Sequence, residues 1–172
     1  ERLLLVERHT TDPKYRPVYM AILTRGGMSR QFRQEALESL TQLNNSDPTT
    51  QLLAALNRLG KKDDRQQQRT SRQLATLLMD RPAEELADKV KALRAATQSP
   101  NPRLRAVGYA ALIAAGQGAA AHQTATARPA TTIDWLSGIP LLPHQVQRRS
   151  QRPAITRLLA PTHPPAVRRA AI

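Results

Sequence analysis

The chain of 172 residues carries 26 Lys and Arg against 13 Asp and Glu, a formal net charge of +13, and its apolar fraction of 40% is enough for a core. Aromatic residues make up only 3% while Leu and Ala dominate, and because Ala and Leu favour helices, we expect an all-α protein. The absence of cysteine excludes disulfides, thiolate metal sites and a covalently attached c-type haem within this chain, and no apolar run approaches the roughly 18 residues of a membrane span.

The first sixty residues predict three helices after a leading segment, 1–12, whose short apolar run fits a helix or a strand equally. Each helix begins at a capping residue or a proline and ends at a glycine or an asparagine. The predicted helices lie between Asp12 and Gly26, between Ser29 and Asn44, and between Asp47 and Gly60. Because their connections are only a few residues long, we expect neighbouring helices to run antiparallel.

The middle of the chain predicts three more helices. Lys61–Gln68 is charged and polar, and we interpret it as a loop that runs into a helix broken at Asp80–Pro82. The next helix ends before the proline-containing boundary Ser99–Pro102, and the one after it ends at Gly116. Residues 13–116 therefore form one continuous series of predicted helices.

The composition changes after this series. Residues 117–132 are rich in Ala, Gly, Thr and Gln, and we interpret them as a loop or linker, or as a frayed helix. Residues 133–172 predict further helices, a short one before Pro140 and another that starts at Pro143 and is interrupted at Pro153. The chain stops inside a pattern that predicts the first turns of an amphipathic helix, so we expect it to be a piece of a longer protein.

A six-residue pattern occurs three times: an apolar residue, Arg, two variable positions, a small residue and an apolar residue. Its copies begin at Phe32, Leu104 and Val167, and their arginines are Arg33, Arg105 and Arg168. The intervals of 72 and 63 residues each correspond to two helical hairpins of roughly 30 to 36 residues. The arginine lies beside the apolar face of its helix, so we expect it to reach a carboxylate or a carbonyl group of the adjacent repeat.

This pattern resembles the second helix of HEAT-type repeats, which are α-solenoids, and the clearest copy runs from Asn101 to Leu112. The segment from Tyr15 to Leu43 resembles the repeat region of planctomycete-type multidomain proteins that also carry a c-type haem domain. The resemblance spans most of Asp12 to Ile172. It implies an armadillo-like α-α superhelix, a right-handed stack of antiparallel helix pairs, and a periplasmic or cell-surface location. It transfers no catalytic residue, and any haem would have to bind outside this chain.

The charge is concentrated in the C-terminal part of the chain, where residues 101–172 contain nine Arg and a single acid. Four of these arginines form a cluster that could line one helix and contact phosphates or an acidic partner: Arg148, Arg149, Arg152 and Arg157. Arg outnumbers Lys 21 to 5, which suits bidentate phosphate contacts. The scarcity of aromatic residues argues against single-strand RNA binding, and neither a helix-turn-helix nor a zinc-finger pattern is present.

The remaining polar residues predict no catalytic, cofactor or metal site. No two histidines, and no histidine and carboxylate within a predicted helix, lie at the spacing of metal ligands, and neither a nucleophile elbow nor a phosphate-binding loop occurs. Trp135 is predicted to pack in the core. We therefore predict a non-catalytic scaffold that binds a protein partner or positions neighbouring domains of the same parent chain. Nucleic-acid binding by the Arg-rich C-terminal half is the alternative.

Overall fold

The computed structural model describes residues 12–59 and 64–172, and these ranges contain eleven α-helices and no β-strand. The all-α prediction is therefore confirmed. The chain divides into two compact units, Glu1–Leu78 and Met79–Ile172. Of the leading segment 1–12 only Asp12 is among the described residues, and the predicted helix end at Gly60 lies outside them.

The first unit contains a 3₁₀ turn and four helices. The turn is Pro13–Tyr15, and the helices are α1 Arg16–Thr24, α2 Arg30–Leu43, α3 Pro48–Arg58 and α4 Arg65–Met79, of which Met79 alone belongs to the second unit. Helix α1 packs against α2 and α3, and α2 packs against α3. Leucine is the most frequent residue in the core of this unit, with side chains fully buried at Leu23, Leu40, Leu52, Leu56, Leu74 and Leu78.

The predicted N-caps of α2 and α3 are confirmed by local hydrogen bonds. The Phe32 amide donates to the Ser29 hydroxyl at 3.3 Å, and the Thr50 amide donates to the Asp47 carboxylate at 2.8 Å. Helix α1 ends at Thr24 because Arg25 is extended, and the left-handed conformation that the sequence predicts as its stop occurs at Gly27, in the turn beyond the C-cap, with a φ of +81°. These caps are set by neighbouring residues, so they could be predicted without knowledge of the packing.

The second unit contains the other seven helices. They are α5 Ala83–Ala87, α6 Val90–Thr97, α7 Pro102–Ala114, α8 Gly118–Ala125, α9 Pro129–Gly138, α10 Gln145–Leu158 and α11 Pro165–Ala170, with a 3₁₀ turn at Ile139–Leu141 after α9. Helix α7 packs against α5, α6, α8 and α9, and α9 also packs against α8 and α11. Ten of the thirteen residues of α7 are buried, so α7 is the central helix of this unit.

The structure corrects two predictions for this unit. Residues 117–132 contain α8 and the start of α9, so the prediction of a loop or linker is wrong. The small side chains of Ala121 and Ala125 are buried. The Thr131 and Thr132 hydroxyls both donate to the Ala125 carbonyl at the end of α8. Helix α10 runs through Pro153, which the sequence predicts as an interruption. Buried residues on either side of the proline hold the helix together although one backbone hydrogen bond is lost.

No helix in the part of the chain that the structure describes has both the length and the apolar character that crossing a bilayer requires.

Candidate functional site

Arg33, the arginine of the first motif copy, lies in the core of the first unit and is only 1% exposed. Its guanidinium donates to the Leu23 carbonyl, to the Arg25 carbonyl at 2.7 Å and to the Gln73 side-chain oxygen at 3.1 Å. The two carbonyls lie at the C-terminal end of α1, where a helix leaves its last acceptors without partners of their own. Arg33 therefore connects the end of the preceding helix to α4, and burial lowers the pKa of its guanidinium.

Arg105, the arginine of the second copy, makes the same kind of contact in the second unit. Its Nε and Nη2 donate to the two carboxylate oxygens of Asp134 on α9, at 2.6 and 3.2 Å. Its Nη1 donates to the Ser99 carbonyl at 3.0 Å, just beyond the end of α6. Arg33 and Arg105 thus each hold the end of the preceding helix and reach the second helix that follows their own.

Arg168, the arginine of the third copy, lies on α11 and is partly buried. Its Nε is buried without a hydrogen-bond partner among the described residues. The structure therefore places two of the three motif arginines in equivalent contacts, and the third outside any such contact.

The four clustered C-terminal arginines separate into two groups. Arg148 folds back along its own helix start, and its guanidinium donates to the Leu142 carbonyl and, at 3.1 Å, to the Pro143 carbonyl. Arg149, Arg152 and Arg157 are exposed on α10, and we call these three residues the α10 arginine face. Arg148 therefore fixes the start of α10, while the other three are accessible to a ligand.

Two clefts border these elements, one in each unit. The first has a volume of about 170 Å³ and is lined by Arg30, Arg33, Gln73, Thr76 and Leu77; we call it the Arg33 cleft. The second has a volume of about 420 Å³ and lies among α6, α7 and α8. Both are lined by residues from helices that are separate in the sequence, so the sequence alone does not show which of these helices meet.

Tyr109 forms part of the wall of the larger cleft and is itself fully buried. Its hydroxyl faces the Thr97 side chain but meets no hydrogen-bond partner of ordinary geometry in the described part of the chain. Burial, followed by the negative charge of Asp134, raises the pKa of Tyr109.

Trp135 is fully buried, as predicted, and His122 on α8 packs edge-on against it with 5.1 Å between the ring centroids. Burial, followed by the positive charge of Arg157, lowers the pKa of His122. The contact between the imidazole and the indole supports the packing of α8 on α9.

No group of three His, Asp or Glu residues within 12–59 and 64–172 is arranged to hold a metal ion. The sequence identified the motif arginines but missed their side-chain partners, Asp134 and Gln73. For Asp134 a signal exists, because it is the single acid among residues 101–172 and precedes a buried tryptophan. For Gln73 there is none, since the polar stretch of α4 contains several glutamines.

Comparison of the chain with models of protein families, with curated proteins and with solved structures finds no match.

Proposed function

We propose that this chain is a non-catalytic helical-repeat scaffold, a right-handed stack of antiparallel helix pairs that binds a protein partner or positions neighbouring domains. The observation that carries the proposal is the equivalence of Arg33 and Arg105. Each side chain holds the end of the preceding helix and bonds to the second helix along the chain. A contact repeated at the same motif position is what a protein built from stacked repeats requires, because each repeat is stabilised by its neighbours.

The packing within the second unit supports the same proposal. Helix α9 lies against both α7 and α11, while α6 and α8 each pack against α7. Helices α5, α7, α9 and α11 therefore pack one against the next, as one layer does in a stack of helical hairpins. The polar residues support a non-catalytic role, because Asp134, the buried acid of α9, is occupied by Arg105 in a structural ion pair.

The proposal predicts that Arg105→Ala lowers the free energy of unfolding by about 1–2 kcal/mol, because the change removes a partly buried ion pair and a bond to the Ser99 carbonyl. Denaturant unfolding measures this loss, and hydrogen exchange should show it mainly in α6 to α9. The matched control is Lys91→Ala, which removes one positive charge at an exposed position of α6 and should change stability by less than about 0.5 kcal/mol. Unfolding of Arg105→Ala at the wild-type midpoint would contradict the proposed bridging role.

A second candidate function is binding of duplex nucleic acid through the α10 arginine face. The observation that favours it is the exposure of Arg149, Arg152 and Arg157 on a helix with no carboxylate anywhere in residues 135–172. At 1.5 Å per residue these arginines extend over about 12 Å of helix, the length of three to four phosphates on one strand. The described part of α10 carries no aromatic residue, so stacking on single-stranded bases has no support there.

If each arginine of the α10 arginine face contacts one phosphate, a plot of the logarithm of affinity for a 20-base-pair duplex against the logarithm of salt concentration has a slope of about −3. Fluorescence anisotropy between 50 and 200 mM salt measures the slope, and the triple variant R149Q/R152Q/R157Q should bring it close to zero. The triple variant R65Q/R69Q/R72Q removes three exposed arginines from α4 and is the charge-matched control. Equal slopes for the two triple variants would assign the attraction to net charge and reject the α10 arginine face as a site.

A further inference from the structure

Arg33 is a buried cation that has no carboxylate counter-ion among the described residues. Its partners are two backbone carbonyls and the neutral amide oxygen of Gln73, and its Nε has none. A charge held away from water is costly unless an opposite charge or a full set of hydrogen bonds compensates it. At the equivalent position in the second unit, Arg105 has that compensation in the carboxylate of Asp134. The side-chain partners of the two motif arginines therefore differ in one chemical respect: Arg33 donates to an amide, and Arg105 donates to a carboxylate.

The Arg33 cleft lies at the point where this charge is uncompensated. Four of its five lining side chains are polar and none is acidic: Arg30, Arg33, Gln73 and Thr76, whose hydroxyl donates to the Arg72 carbonyl at 3.0 Å. Because the Gln73 oxygen accepts from Arg33, the amide nitrogen of Gln73 is left to donate to a ligand. The volume of about 170 Å³ admits a group of several heavy atoms, given that a water molecule occupies about 30 Å³ in the liquid.

We infer that the Arg33 cleft is a binding site for a carboxylate, which supplies to Arg33 the negative charge that Asp134 supplies to Arg105. Arg30 at the rim donates to the bound carboxylate beside Gln73, while the Thr76 hydroxyl donates to the Arg72 carbonyl of its own helix. The carboxylate is either a small free acid or an acidic side chain of a protein partner. The site goes beyond the scaffold function and does not depend on it.

The decisive variant is Gln73→Glu, which places a carboxylate 3 Å from the Arg33 guanidinium and so reproduces the Arg105–Asp134 pair within the chain. We expect this variant to melt several degrees above the wild type and to bind acetate at least tenfold more weakly, because the built-in carboxylate occupies the site. Gln42→Glu, an equal change at an exposed position of α2, should keep the wild-type affinity for acetate. Arg30→Gln, at the rim, should weaken acetate binding without lowering the melting temperature by more than a few degrees.

Binding is measured on the full chain by following the Arg33 Nε–H resonance during titration with sodium acetate, with sodium chloride at equal ionic strength as the reference. We expect saturation with a dissociation constant on the order of 1 to 10 mM for acetate, a ligand of four heavy atoms. A blocked peptide with one central Asp that binds more tightly than acetate identifies a partner's side chain as the occupant; equal or weaker binding identifies a free acid. No saturable shift, tighter binding of inorganic phosphate, or unchanged acetate affinity in Gln73→Glu would overturn the proposal.

Discussion

Arg33→Ala is expected to lower the free energy of unfolding by about 3 kcal/mol, more than any other single arginine replacement in the first unit. The change leaves the Leu23 and Arg25 carbonyls and the Gln73 amide oxygen without their donor; Arg25 and Gln73 are exposed residues, but Leu23 is fully buried, and a buried polar group that loses its partner costs about 1–3 kcal/mol. Removal of an uncompensated buried charge recovers part of that cost, so the loss stays below the simple sum. Denaturant unfolding of the purified chain measures the difference.

Two comparisons separate the hydrogen bonds of Arg33 from its charge. Arg33→Lys keeps the charge but replaces the planar guanidinium with a single ammonium nitrogen. One nitrogen cannot donate hydrogen bonds to all three acceptors, which lie on two helices, so this variant should lose more than half of the stability that Arg33→Ala loses. Arg72→Ala, an exposed site on α4, should change stability by less than about 0.5 kcal/mol. Wild-type stability of Arg33→Ala would show that the carbonyls of α1 find other donors, and the bridging interpretation would then be wrong.

Gly138→Ala is expected to lower the free energy of unfolding by about 2–3 kcal/mol, although the same change in an exposed helix raises helix stability by about 1 kcal/mol. The reason is the approach of α9 to α7: a methyl group at Gly138 would lie 2.4 Å from the Ala106 carbonyl oxygen and 3.3 Å from the Ala110 nitrogen. Both atoms belong to the backbone of the central helix, so no side-chain rotation relieves the contact. The helices must move apart, and the packing around Trp135 is lost with them.

Gly118→Ala is the control for this prediction, because the added methyl group would lie 3.4 Å from the flexible end of Gln151 and meet no backbone atom. This variant should be neutral or slightly stabilised, as expected for Gly to Ala at the start of a helix. Thermal unfolding of both variants under the same conditions measures the sign of each change. A Gly138→Ala protein as stable as Gly118→Ala would mean that α9 does not require a glycine against α7.

Within the candidate sites, the sequence located one partner of each contact. The motif spacing placed Arg33 and Arg105 beside the apolar face of a helix, because a period of 3.6 residues fixes which positions share a face. Their partners Gln73 and Asp134 lie 40 and 29 residues further along the chain. No local rule of propensity or capping acts over that separation, so the pairing is decided by how the helices pack. The same limit applies to the two clefts, whose walls come from different helices.

The sequence by itself determined the all-α class, the N-caps of α2 and α3, the position of the motif arginines and the excess of positive charge. These depend on composition or on residues within about four positions of each other, where backbone geometry and side-chain caps decide the outcome. Only the tertiary structure decided that residues 118–125 are helical, that α10 continues through Pro153, that Arg33 is buried without a carboxylate, and that Gly138 meets the backbone of α7. Residues 118–125 and α10 are helical because burial against a distant helix outweighs the local preference, since most of a short helix's stability comes from its packed face. The surroundings of Arg33 and Gly138 depend on which distant helices pack against them.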